Sequence, residues 1–178
     1  MAKDMTGTGR EVDYLNPQPH QFDVADIARG MANTARFSGQ SQMYYSVAQH
    51  CVLMSRLVSA EHALEALLWG AAKAYCGDLT AGLKFLLPDY TEIVRGMDTA
   101  IRERFGLPRT QSGLVEIANK MVLAAAYRDL MPQGTSFPLP DDIKPLSMKV
   151  HAVHSVRAQG MWLERLVELQ GRVDKVAA

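Results

Sequence analysis

The stretch Leu67-Leu68-Trp69-Gly70-Ala71-Ala72-Lys73-Ala74-Tyr75-Cys76-Gly77-Asp78 decides how this chain folds. Leucine and alanine are among the best helix formers, so the run predicts the second half of a helix from Glu61 to Tyr75. Gly77 is well placed to end it, because glycine enters the left-handed conformation without steric cost. At 100° per residue, positions 69, 70, 73, 76 and 77 share one helix face.

Working outward, the same periodicity gives a helical chain. Asp23 caps a short helix from Val24 to Asn33. Asn33 to Ser41 is small and polar, hence a loop. Ser46 is an N-cap for a helix carrying Val47, Cys51, Met54, Leu57 and Val58 at helical spacing. Leu79 to Leu87 is a short helix ended by Pro88. Tyr90 to Phe105 is amphipathic and stops at Gly106 and Pro108. Leu114 to Leu130 is long and apolar-striped and ends at Pro132. The segment 132–147, with Pro132, Pro138, Pro140 and Pro145, is a loop, and Val156 to Val173 is the closing helix. Residues 1–20 carry Gly7, Gly9, Pro17 and Pro19 and read as an irregular arm. No segment shows a period-2 strand run with hairpin turns. The expectation is one all-α domain over 1–178, a bundle of six or seven helices around a single core.

Composition narrows the partners. The 178 residues are 48% hydrophobic and 21% charged, an ordinary globular balance. Formal net charge is zero, so no electrostatic case exists for nucleic acid or an anionic membrane. No apolar run approaches the roughly 20 residues of a membrane span. The polar start, Met1 to Arg10, lacks a signal-peptide core, which makes the cytoplasm the expected location. Cys51 and Cys76 form neither a disulfide framework nor a zinc spacing and are expected as free thiols.

Three ordered segments resemble one family. They are Ala35-Arg36-Phe37-Ser38-Gly39 with Tyr45-Ser46-Val47-Ala48-Gln49-His50, then Trp69 to Asp78, then Ile117-Ala118-Asn119-Lys120 running to Tyr127-Arg128-Asp129-Leu130-Met131-Pro132. Together, over roughly residues 10–170, they resemble the HD-domain metal-dependent phosphohydrolases, in particular the 5′-deoxyribonucleotidase group. That family's wording of the central segment is Leu-Leu-His-Asp-Ala-Ala-Glu-Ala-Tyr-x-Gly-Asp. The resemblance implies one divalent metal held by a His, the His-Asp pair and a later Asp. Carried over, the first His is His50. The pair falls on Trp69 and Gly70, the last Asp on Asn119, the catalytic Glu on Lys73, and a later carboxylate on Ala126. One imidazole and one amide do not make a hydrolytic metal site, which needs three or more good donors. No bound metal, no cofactor and no phosphomonoesterase activity are expected.

The replacements coincide with the ligand and catalytic positions while the frame beside them is kept. That pattern reads as a site deliberately cleared, an engineered pocket for a small uncharged organic substrate, lined by Trp69, Gly70, Asn119, Val122, Leu123 and Ala126. Two nucleophiles are candidates. Lys73, desolvated on this face, has the makings of a Schiff-base amine for aldol or retro-aldol chemistry. Alternatively Lys73 pairs with Asp78 or extends to water. Cys76, with His50 as base, suits ester hydrolysis through an acyl-enzyme. The alternative to an artificial enzyme is a natural, catalytically dead HD pseudoenzyme that binds a nucleotide through Arg36 and Asp78 or acts as a scaffold. A homodimer is implied by the resemblance only. Cys51 and Trp162 are expected in the core. His151 and His154 are expected at the surface or as caps, and one of Tyr44 and Tyr45 is expected to pack while the other lines the pocket.

Overall fold

The computed structural model describes residues 2–134 and 143–176; the middle of the expected 132–147 loop, with Pro138 and Pro140, lies outside the described residues. The helices are α1 (Val24–Asn33), α2 (Val47–Leu57), α3 (Ala63–Leu68), the single turn α4 (Lys73–Cys76), α5 (Ala81–Phe85), α6 (Pro88–Arg104), α7 (Gly113–Leu130) and α8 (Ser155–Val176). The all-α bundle is therefore as expected. Among the described residues no helix is long and apolar enough to cross a membrane.

The caps explain the boundaries. Asp23 accepts from the Ala25 amide, Ser46 from Gln49 and Ser112 from Leu114, each satisfying a helix-start donor that has no partner inside the helix. Pro88 opens α6 rather than closing α5, since a first helical position needs no N–H.

α2 is the central element, packed on α1, α3, α7 and α8. Its buried Val47, Ala48, Cys51 and Val52 join Ile27 and Met31 of α1, Leu67 of α3 and Trp162 of α8 in one core. Trp162 is fully buried and donates its indole N–H to the Leu67 carbonyl, 3.0 Å away. The α8 guanidinium of Arg165 reaches Ser55 of α2 through both its hydroxyl and its carbonyl. Gln49 clamps the return segment, donating to the His151 carbonyl at 2.7 Å and accepting from the Val153 amide at 3.1 Å.

Two expectations need correction. The arm is not wholly irregular: β1 (Lys3–Met5) and β2 (Glu11–Asp13) pair antiparallel, Lys3 facing Asp13. Val12 is its buried anchor, and Lys3 pairs with Glu11 at 2.7 Å. The strands are three residues each, too short for an alternation signal. The helix predicted across Glu61 to Tyr75 is also broken. After α3, Trp69 is extended (φ −55°, ψ 124°), Gly70 has φ +70°, and the Ala71 amide bonds the Leu68 carbonyl at 2.9 Å. This is a type II turn, which requires a positive φ at its third residue. Positions 69, 70, 73 and 76 are therefore not related by one helical rotation.

Candidate functional site

Four elements converge on the broken segment. α2 supplies His50, the turn supplies Trp69, α4 supplies Lys73 and α7 supplies Asn119. The loop before α2 adds Arg36 and Tyr45, and the chain after Gly77 adds Asp78.

His50 is fully buried and has both ring nitrogens engaged. Nδ1 lies 3.1 Å from the Tyr45 hydroxyl and Nε2 lies 3.0 Å from Asn119 Oδ1. With the amide oxygen facing Nε2, that nitrogen donates and Nδ1 accepts from Tyr45. Turning the amide over exchanges the roles and leaves both nitrogens engaged. Burial, reinforced by the Arg36 charge, pushes the imidazole well below its ordinary value, so His50 is neutral. It has no lone pair left for a metal and none for a thiol.

Trp69 occupies the space between this histidine and the cations. Its ring centroid is 5.6 Å from that of His50, while Lys73 Nζ sits 4.2 Å and the Arg36 guanidinium carbon 5.7 Å from the indole centroid. Lys73 is 6% exposed. Its Nζ is 2.9 Å from Asp78 Oδ1, but off the directions of a good hydrogen bond, so the contact is mainly charge on charge. Burial, and then the Arg36 charge, lower the Lys73 ammonium to about 8 despite the carboxylate. Asp78 Oδ2 takes Arg36 Nη1 at 2.5 Å, and Lys84 Nζ approaches Oδ1 at 3.9 Å. Burial alone would raise the Asp78 carboxyl; the Lys73 and Arg36 charges outweigh it and hold it below the usual carboxylate value. Three cations thus surround one carboxylate, and the buried Arg36 Nε has no hydrogen-bond partner.

The Arg36 side is built on strained backbone. Phe37 and Ser38 both have positive φ, 56° and 52°, uncommon for residues other than glycine. The Arg36 amide bonds the Tyr45 carbonyl at 2.7 Å, and the Ser38 hydroxyl reaches the Asp78 carbonyl at 3.5 Å. The loop is folded down onto the segment that carries Asp78.

The residues present do not fit the metal that the resemblance implies. Among the described residues no three His, Cys, Asp or Glu side chains gather to hold an ion. His50 and the Asn119 oxygen satisfy each other, and the Lys73 ammonium stands against the Trp69 indole, at a position that the resemblance alone assigns to a ligand.

The structure brings together Arg36, His50, Trp69, Lys73, Asp78 and Asn119, with Gly70 beside Lys73. It does not assemble a Cys76–His50 dyad. Cys76 ends α4 near Tyr14 and Tyr90, and burial pushes its thiol up to about 11, away from the thiolate. Lys73 pairs with Asp78, the second outcome weighed for it. Val122 is fully buried with Met54, Ala66 and Val115, and Ala126 with Tyr45, Leu130 and Val150; these two serve as core, while Leu123 is half-buried. Trp69 packs against the first of these clusters. Two clefts of about 630 and 440 Å³ are lined by the arm with α6 and with α1, and include none of the six gathered residues.

Cys51 is core, its thiol 2.8 Å from the Trp69 carbonyl. His154 caps α8 through the Val156 amide, and the exposed His151 gives only its carbonyl, to Gln49. Tyr45 packs with its hydroxyl on His50, and Tyr44 bonds the Ala32 carbonyl instead of lining the site. Sequence reasoning missed Tyr45 as the second partner of His50 and Lys84 as the third cation. The five-residue spacing of Tyr45 and His50 across the Ser46 cap was the available signal for the first. Nothing local marked the second.

Comparison with known proteins places the chain. No family model matches it. The uncharacterized protein RCAP_rcc00048 of Rhodobacter capsulatus is 34% identical over 111 residues, 57% of this chain and 57% of its own length. The uncharacterized protein YfdR of Escherichia coli is 39% identical over 166 residues, 92% of this chain and 93% of its own length. With that identity over nearly all of both chains, this protein belongs to the YfdR family.

Proposed function

We propose that this is a metal-independent binding domain on an HD-type scaffold, which holds a small organic phosphate ester without hydrolysing it. The observation that carries the reading is the charge imbalance at Asp78: Arg36, Lys73 and Lys84 share one carboxylate. Burying cations in excess of their counter-ions is costly, and an anionic ligand offsets that cost. Strained backbone at Phe37 and Ser38 costs on the order of 1–3 kcal/mol per residue and clusters at ligand clamps. A nucleotide is the phosphate ester that the resemblance suggests. The reading does not require the site to have been cleared by design, and it covers a natural pseudoenzyme equally.

Calorimetric titration with a 2′-deoxynucleoside 5′-monophosphate in EDTA tests it. Binding is expected to survive the chelator, to release no inorganic phosphate, and to weaken at least tenfold for the unphosphorylated nucleoside. Equal affinity for nucleoside and nucleotide, or no binding of either, would end the proposal.

A second reading is favoured by one observation. Lys73 is a buried amine lowered to about 8 beside a carboxylate, which is the condition for carbonyl chemistry. This is what remains of the rebuilt artificial site with a covalent nucleophile. The Cys76 ester reading has no such support.

A further inference from the structure

We propose that the cluster takes as its covalent ligand a small aldehyde or ketone that also carries a phosphate group, the phosphate held by Arg36 and Lys84 and the carbonyl joined to Lys73 as an imine. This rests on the anion-binding reading above and names the ligand class for the same site.

The three cations around Asp78 are not equivalent. Arg36 is a guanidinium, which stays protonated and binds oxyanions through its planar fork. Its buried Nε lacks a protein partner, so a donor remains unspent. Lys84 is the outer member, with about a third of its side chain exposed, so the cluster is reached by solvent from its side. Lys73 is the inner member, nearly enclosed, with its ammonium on the indole face. Both lysines stand on the same carboxylate oxygen, at 2.9 and 3.9 Å, so a short carbon skeleton spans them. A ligand with phosphate at one end and carbonyl at the other satisfies both.

Lys73 is also the member suited to bond formation. With its ammonium at about 8, roughly a quarter of the amine is neutral at pH 7.5, against about one part in a thousand for an ordinary lysine. The free amine attacks the carbonyl carbon. A C–N bond forms as the π pair moves to oxygen, and the first of the two amine protons passes from nitrogen to that oxygen by way of Asp78 Oδ1, 2.9 Å from Nζ, giving a neutral carbinolamine. Asp78 Oδ1 then takes the second proton from nitrogen and delivers it to the departing hydroxyl, which leaves as water. The product is the C=N imine. One water is released, and no electrons enter or leave. The Trp69 ring keeps water from one side of the nitrogen.

The test is reductive trapping on the full-length protein. Glycolaldehyde phosphate and glycolaldehyde are incubated separately with the protein, sodium borohydride is added, and the adducts are mapped by peptide mass spectrometry. Phosphate affinity of the same sample is measured by calorimetry. One adduct, on the peptide holding Lys73, is expected to form at least tenfold faster with the phosphorylated aldehyde. Inorganic phosphate suppresses it, Lys84→Ala slows it, and Lys73→Met abolishes it. Should Lys73→Met fail to fold, the wild-type peptide map decides. Adducts spread over surface lysines, or equal rates with the two aldehydes, overturn the inference. Phosphate binding without a Lys73 adduct overturns the imine alone and leaves the binding reading standing. Absence of phosphate binding overturns both.

Discussion

Replacing Gly70 with alanine is the sharpest test of the site's backbone. Gly70 has φ +70° at the third position of the turn that parts α3 from α4. An L-residue in this left-handed region costs about 1–2 kcal/mol through contact of Cβ with the following carbonyl. A Cβ here also meets Lys73 Cδ at 3.2 Å and Cε at 3.3 Å, so the lysine stem must yield. That stem is enclosed, and its Nζ is fixed between Trp69 and Asp78. The combined expectation is a loss of about 2 kcal/mol. At this chain length a loss of that size lowers the melting temperature by roughly 4–8 °C. Urea unfolding of wild type and Gly70→Ala, with equal slopes, measures it. Gly160→Ala supplies the opposite sign in the same protein. That glycine lies within α8, has no atom within 4 Å of its Cβ direction, and has no positive φ. Alanine there stabilises a helix by about 1 kcal/mol. A Gly70→Ala protein as stable as wild type would refute the turn and restore one continuous helix through Trp69.

Three further outcomes are expected. Between pH 8 and 10.5 the native state releases the Lys73 proton while the unfolded chain keeps it, so stability rises with pH in that window. Relative to Lys73→Met, wild type gains on the order of 3 kcal/mol across it by urea unfolding, and parallel curves would contradict the desolvated amine. Below pH 6.5 the unfolded chain protonates His50 while the native state resists, so stability falls as the pH drops; a His50→Gln variant lacks this contribution, and an unchanged acid limb would show that His50 is solvated. Titration with Mn²⁺ is expected to give no stoichiometric binding to the wild-type chain, and an EDTA-reversible ion at one per chain would overturn the account of His50 and Asn119.

Much of this fold is written in local chemistry. Ser46, Asp23 and the apolar spacing of α2 are read directly, because capping and periodicity involve only neighbours in sequence. The broken helix was also readable in principle, since a glycine inside a helical pattern weakens it. Alanine and leucine on both sides outweighed that signal, and only the positive φ of Gly70 shows which won. The site is legible by halves. His50 and Asn119 meet across 69 residues of sequence, and Arg36 and Asp78 across 42. Such pairings follow from helix packing, which no window of sequence contains. The resemblance singled out candidate positions; their partners come only from the tertiary structure.

The residues at positions 69, 70, 73 and 119 depend on one another, which is why the cluster is better read as one arrangement than as separate features. A lysine at position 73 needs its charge accommodated in a nearly closed interior. Asp78 provides a counter-ion, and the indole at position 69 provides a polarizable face worth about 2 kcal/mol when desolvated. Removing Trp69 alone would leave that ammonium against His50, which carries no compensating charge. The neutral His50 in turn needs a neutral partner on Nε2. Asn119 serves at 3.0 Å, whereas a carboxylate there would raise the imidazole toward its charged form beside Lys73 and Arg36. Gly70 closes the set, since its left-handed turn and missing Cβ let the Lys73 stem lie across it. Each of the four residues is tolerable because the other three are present. Single substitutions such as Asn119→Asp or Lys73→Glu should therefore each lower stability, read as a drop in the urea midpoint.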